Sequence, residues 1–237
     1  MNLIIILAVI FLSVFTQSLT GFGSALVAMA LLPPLLGLQV SAPLVALIAG
    51  TTELVLLARY RSAINLRSIW RLGLASLVGI PIGVVFLKRV DERIVLTLLG
   101  GLLAGYALYA LFKLRPAELR SSGWGYLFGF LAGMLGGAYN TSGPPAIIYG
   151  DCQRWSPAEF KSNLQGFFLL GDLVVIASHA LAHNLNAAVF EVYWPALPVI
   201  GAALLAGLSL DKSLNPHLFR KFVLVLLVVM GVRLAIG

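Results

Sequence analysis

The sequence predicts an all-α polytopic membrane protein built as two inverted repeats, each a re-entrant or broken-helix hairpin followed by three transmembrane helices. Three observations lead there. First, 60% of the 237 residues are hydrophobic and only 11% are charged, which leaves too little polar side chain to coat a soluble globule of this size. Second, apolar runs of membrane-crossing length recur along the chain. Third, a glycine-rich break interrupts the apolar pattern twice, once in each half.

Taken in order, the apolar runs cover residues 3–20, 22–36, 42–58, 67–87, 94–112, 124–139, 144–150, 161–182, 189–210 and 218–236. The stretch 3–20 lacks the basic start and small-residue cleavage site of a signal peptide, so it is read as the first membrane segment. The runs 22–36 and 144–150 are too short to cross. Each follows a break, Thr20-Gly21-Phe22-Gly23-Ser24 or Gly136-Gly137-Ala138-Tyr139-Asn140-Thr141-Ser142-Gly143-Pro144-Pro145, at which a chain can stop and turn inside the membrane.

Basic residues weigh two topologies against each other, because cytoplasmic loops are enriched in Lys and Arg. An eight-helix chain that crosses at every broken segment, with its amino terminus inside, divides the sixteen Lys and Arg evenly. If 3–36 and 124–150 are re-entrant hairpins and the amino terminus is outside, twelve fall inside, and only Lys88, Arg89, Arg93 and Arg233 lie outside. The second topology is preferred. Each half then makes an odd number of crossings and the halves run in opposite senses. Gly21 matches Gly137, Gly50 matches Gly166, and Asp91–Ala107 aligns with Asn215–Gly231. The expected division is a repeat over 1–112, a cytoplasmic linker over 113–123 and a second repeat over 124–237. Such repeats with broken helices are a mark of secondary transporters, whose substrate site lies where the breaks meet.

The breaks carry polar side chains at depths where polarity is costly: Gln17, Thr20 and Ser24 in the first, Asn140, Thr141 and Ser142 in the second. Irregular backbone at such depth is tolerated where it is buried in protein or lines a cavity. Ser142-Gly143-Pro144 reads as a helix start, with a capping side chain and a proline where an amide would be unpaired anyway. A second start follows Gly23. Two helix amino termini converging at the midplane make an anion site; the plainer alternative is that these residues only satisfy the bends.

Two carboxyls sit inside spans, Glu53 and Asp172. Lys161, Gln165, Phe168, Asp172, His179 and His183 fall on one helical stripe, which cannot face lipid. The stripe suits a solvated path or proton relay; a structural pairing of Asp172 with Lys161 or a neighbouring helix, and a protonated structural Glu53, remain open. The four-residue spacing of His179 and His183 permits a shared metal, but no carboxylate accompanies them and no metal site is assigned. Glycines at 79 and 83, at 101 and 105, and at 129, 133 and 137 suit close helix packing and permit a homodimer. Trp70, Trp124, Trp155 and Trp194 fall near span ends, as aromatic belts do. With a single cysteine, Cys152, no intrachain disulfide can form. No hydrolase, nucleotide-binding or zinc motif is present, so no enzyme activity and no cofactor are expected. The net charge of +7 is attributed to loops facing anionic lipid, not to nucleic acid.

Two glycine-rich breaks, each followed by proline (Thr20-Gly21-Phe22-Gly23 to Pro33, and Gly133 to Gly143-Pro144-Pro145), in a chain of two similar halves resemble the sulfite exporter TauE/SafE family. The resemblance covers nearly the whole chain. It implies a multi-pass permease of the bacterial inner membrane that moves sulfite or short organosulfonates outward. Under that reading the substrate contacts come from Gln17, Thr20, Gly21, Phe22, Gly23, Ser24, Tyr139, Asn140, Thr141, Ser142, Gly143, Pro144 and Gln165. Glu53 and Asp172 carry a coupling proton, and one repeat rocks against the other. An anion-selective channel is the second expectation, and a metal-ion permease using the histidines and Asp172 a third.

Overall fold

The computed structural model describes residues 3–112, 117–119, 121–210 and 216–236. All the regular structure among them is helical: α1 (Leu3–Thr20), α2 (Ser24–Leu31), α3 (Pro33–Leu36), α4 (Leu38–Tyr60), α5 (Leu66–Arg89), α6 (Glu92–Leu111), α7 (Trp124–Tyr139), α8 (Gly143–Cys152), α9 (Pro157–Leu181), α10 (Ala187–Leu210) and α11 (Pro216–Ile236), with one 3-10 turn at Arg61–Ala63. Six helices among the described residues are long and apolar enough to cross a membrane: Leu3–Thr20, Leu38–Tyr60, Leu66–Leu87, Glu92–Leu111, Ala158–Leu181 and Ala187–Leu210. Large apolar side chains such as Leu54, Leu98, Leu173 and Leu205 point outward, which costs nothing when the surrounding solvent is hydrocarbon. The protein is a multi-pass membrane protein.

The element boundaries have local causes. Run 22–36 divides into α2 and α3 because Pro33 has no N–H to continue the first helix and occupies the opening turn of the second. Helix α9 begins four residues before the expected 161, at a capping box in which Ser156 and Glu159 satisfy each other's backbone amides. His183 lies beyond the end of α9 in left-handed backbone, so it is not on the stripe with Asp172 and the two histidines do not share a helix face. Within the expected linker, Leu119 is fastened to the end of α8: its N–H donates to the Cys152 carbonyl (3.2 Å) and its carbonyl accepts from Gln153 Nε2 (2.8 Å). Residues 113–116 and 120 of that linker lie outside the described residues.

Short breaks fold α2 back on α1 and α8 back on α7, and the principal partners beyond these are α5 with α7, α1 with α10, α6 with α11 and α4 with α9. The α5–α7 contact is backbone on backbone. A methyl at Gly79, Gly83, Gly129, Gly133 or Gly137 would overlap a carbonyl of the facing helix, as expected of small-residue packing in lipid. In α6 the close approach is made by Gly100 against Gly231 of α11, whereas a methyl at Gly101 or Gly105 would meet nothing within 4 Å among the described residues. Trp70, Trp124 and Trp194 are exposed at helix ends. Trp155, by contrast, packs edge-on between Tyr149 and Phe160 and belongs to the interior.

Candidate anion site

Both breaks begin with a helix ended by left-handed backbone. At the first, Gly21 (φ +84) donates its N–H to the Gln17 carbonyl at 2.8 Å, and Gly23 (φ +103) precedes α2. At the second, Asn140 (φ +52) donates to the Gly136 carbonyl at 2.8 Å. Glycine and asparagine are the residues that end helices in this conformation. Asn140, immediately after α7, thus ends its helix in the same backbone conformation as Gly21, whereas Gly137 lies inside α7.

The amino-terminal ends of α2 and α8 open onto one cavity, lined by Gln17, Gly23, Ser24, Glu53, Asn140, Thr141, Ser142, Gly143, Phe168 and Asp172, with Ala25, Leu26 and Ala49. About 20 Å³ of it is free to the centre of a water-sized group, room for roughly one water. A three-oxygen anion would need a wider cavity than this.

The expected contact residues divide into groups. Gln17, Gly23, Ser24, Asn140, Thr141, Ser142 and Gly143 line the cavity, together with both carboxyls. Gln165 stands behind, donating to the Gly21 carbonyl and accepting from Gln17. Thr20 and Phe22 line a separate apolar cavity with Tyr106 and Leu224, and the Thr20 hydroxyl is within 2.9 Å of the Thr16 carbonyl and 2.6 Å of that of Phe22, so it closes the turn. Tyr139 and Pro144 are buried without lining either space.

The helix ends differ from expectation in two respects. Helix α8 starts at Gly143, one residue before Pro144, and Ser142 at its cap position makes no capping hydrogen bond. That leaves the Ser142 side chain to the cavity. With prolines at its second and third positions, α8 offers a single amide, that of Gly143, where an ordinary helix start offers three or four. The start of α2 carries Ala25 and Leu26 amides in full, while the Ser24 N–H and hydroxyl are both given to Gln17 Oε1.

The polar groups facing the cavity are thus partly uncommitted. Among the described residues, the Thr141 hydroxyl, a possible donor, is buried without a hydrogen-bond partner, as are the acceptor Asn140 Oδ1 and the carboxyl oxygens Glu53 Oε2 and Asp172 Oδ2. Asn140 Nδ2 reaches across to the Ala42 carbonyl of α4, tying the second break to the helix that carries Glu53. Glu53 and Asp172 are close enough to interact directly. Lys161 lays its aliphatic stem against Gly21 and its ammonium 5.6 Å above the Tyr60 ring. Phe168 of the stripe was not an expected contact residue; its ring tip lies beside Gly143. Its one signal in the sequence is its place a turn before Asp172.

The family resemblance rests on the two glycine-rich breaks, each followed by proline. Residues 5–234 match the family model described as Sulfite exporter TauE/SafE. The chain belongs to this family. It is also 33% identical over 233 residues to a Cupriavidus necator protein named "Probable sulfite/organosulfonate exporter TauE", covering 93% of this chain and 86% of that protein. No solved structure matches it significantly. Among the described residues of this TauE/SafE member, no group of three or more His, Cys, Asp or Glu could hold a metal ion.

Proposed function

We propose that this TauE/SafE protein is a secondary transporter that exports small sulfur oxyanions, sulfite or a short organosulfonate, across the bacterial inner membrane, coupled to protons. The supporting observation is the single cavity where two helix amino termini, three polar residues of the second break and two buried carboxyls meet. Partial positive charge at the helix ends and hydroxyl and amide donors suit the oxygens of an anion. The substrate class follows from the family and from the name of the Cupriavidus necator relative.

The carboxyls supply the coupling logic. An anion and ionised Glu53 and Asp172 repel one another strongly in a cavity of low dielectric, so anion occupancy favours the protonated pair, and loss of protons favours release. An inverted-repeat arrangement fits the helix partners: exchanging the halves turns the α5–α7 contact into α10–α1 and α5–α9 into α10–α4, and leaves α4–α9 and α6–α11 as they are. Glu53 and Asp172 exchange under the same 119-residue offset that relates Gly21 to Asn140.

The test is sulfite flux into proteoliposomes with and without an imposed pH gradient, beside Thr141→Val. Saturable flux that follows the gradient and falls in the variant is expected. Gradient-independent flux far above the rates of alternating access means a channel. Absence of flux with sulfite, sulfoacetate and ethanesulfonate removes the sulfur-anion reading.

A further inference from the structure

We infer that the amino-terminal end of α2 is an anion subsite held in reserve by Gln17, whose carboxamide oxygen stands where a substrate oxygen must sit, so that substrate binds by displacing it and thereby breaks the Gln17–Gln165 hydrogen bond between α1 and α9. The inference rests on the anion-transport reading and assigns the way its site is controlled.

Four groups form one buried relay. The Ser24 N–H donates to Gln17 Oε1 at 3.2 Å, and the Ser24 hydroxyl donates to the same oxygen. Gln17 Nε2 donates to Gln165 Oε1 at 3.3 Å, and Gln165 Nε2 donates to the Gly21 carbonyl. Gln17 is 2% exposed and Gln165 fully enclosed. The orientation of both amides is fixed by the ends of the relay. A backbone N–H can only donate and a backbone carbonyl can only accept, so Gln17 must turn its oxygen to Ser24 and Gln165 its nitrogen to Gly21.

Gln17 Oε1 therefore binds the start of α2 as a ligand oxygen does: neutral, and supplied by the chain itself. The same cavity carries the Thr141 hydroxyl, 1% exposed and without a partner, so part of the site is ready for a ligand while the α2 end is already occupied. A charged oxygen is a stronger acceptor than an amide oxygen and takes the α2 end from it. Once Gln17 swings away, its link to Gln165 is lost. At 3.3 Å that link is at the long end for N–H···O and is the first of the relay to part. Gln165 precedes Asp172 by seven residues on α9, so the helix carrying one of the two carboxyls loses its side-chain link to Gln17 when the anion arrives, while Gln165 keeps its hydrogen bond to the Gly21 carbonyl.

The test is equilibrium binding of radiolabelled sulfite to the purified full-length protein in detergent, with flux measured in parallel. Removing an internal competitor strengthens binding: Gln17→Leu is expected to lower the apparent Kd roughly tenfold, the order set by one or two hydrogen bonds that no longer have to be broken. Maximal flux is expected to fall, because nothing displaces the bound anion from α2. Gln165→Leu, which leaves Gln17 in place without its anchor, is expected to tighten binding by a smaller factor. Should Gln17→Leu fail to fold, Gln17→Asn, one methylene shorter, is expected to tighten binding in the same way. Weaker binding in the Gln17 variants makes that side chain a direct substrate ligand and overturns the inference, as does unchanged binding in them. A wild-type protein that binds neither sulfite nor ethanesulfonate overturns the transport reading instead.

Discussion

Replacing Asn140 separates its backbone role from its side-chain role. The residue ends α7 in left-handed backbone at φ +52 and sends its amide to the Ala42 carbonyl of α4. Glycine takes the conformation without strain, so Asn140→Gly loses the buried hydrogen bond, about 1 kcal/mol, and adds about 0.5 kcal/mol or more of chain entropy. Alanine loses the same hydrogen bond and also bears the left-handed penalty of about 1–2 kcal/mol. Asn140→Ala should therefore be the less stable by about 1 kcal/mol, a difference of roughly 2–4 °C in Tm for a chain of this size, measurable by thermal melting in detergent. Transport should respond differently. The Nδ2 hydrogen not given to Ala42 is the only donor this side chain could offer an anion; both variants lack it, so on the proposed reading sulfite affinity should fall roughly tenfold or more in both. Equal Tm values would refute the backbone argument. Transport retained in Asn140→Gly but lost in Asn140→Ala would refute the substrate contact and leave only the turn.

Thr141→Val removes a buried hydroxyl without a partner, so the variant should melt at or above the wild-type temperature while sulfite affinity falls; a drop in Tm would show that the hydroxyl is structurally engaged. Gly83→Ala places a methyl over the Met134 carbonyl and 2.8 Å from the Ala138 amide, and its folded yield by size-exclusion chromatography should collapse, whereas Gly101→Ala, which meets nothing within 4 Å, should match wild type. Glu53→Gln and Asp172→Asn are permanently neutral, so sulfite exchange between equal pools should persist and accumulation driven by a pH gradient should be lost. Retained accumulation in both variants would move the coupling away from this pair.

The helical, membrane-embedded character of the fold and its two breaks were legible because they rest on composition and on punctuation by glycine and proline. Of the candidate site, the grouping was legible from residue types: seven of the thirteen expected contact residues line one cavity with Glu53 and Asp172. Register was not. Gly21 was matched to Gly137 because both are glycine, but the residue that ends α7 in left-handed backbone, as Gly21 ends α1, is Asn140. Side-chain direction was not legible either. Thr20 opens the first break, yet its hydroxyl closes its own turn, and spacing alone could not show that Ser24 is already bonded to Gln17. The early start of α9 was available in Ser156-Pro157-Ala158-Glu159, a capping-box pattern.

The glycine seam between α5 and α7 bears on mechanics. Its main chains meet without intervening side chains, and it joins a helix of the first half to the hairpin of the second, while the hairpin of the first half lies against α10. The midpoint of the sequence is therefore not a mechanical hinge line. A cut between residues 112 and 124 would divide the polypeptide without freeing two bodies, because each half holds the other's hairpin. Any movement that admits a substrate would be cheapest at the breaks themselves, where the backbone leaves the helical conformation at Gly21, Gly23 and Asn140, with the seam as the frame against which they shift.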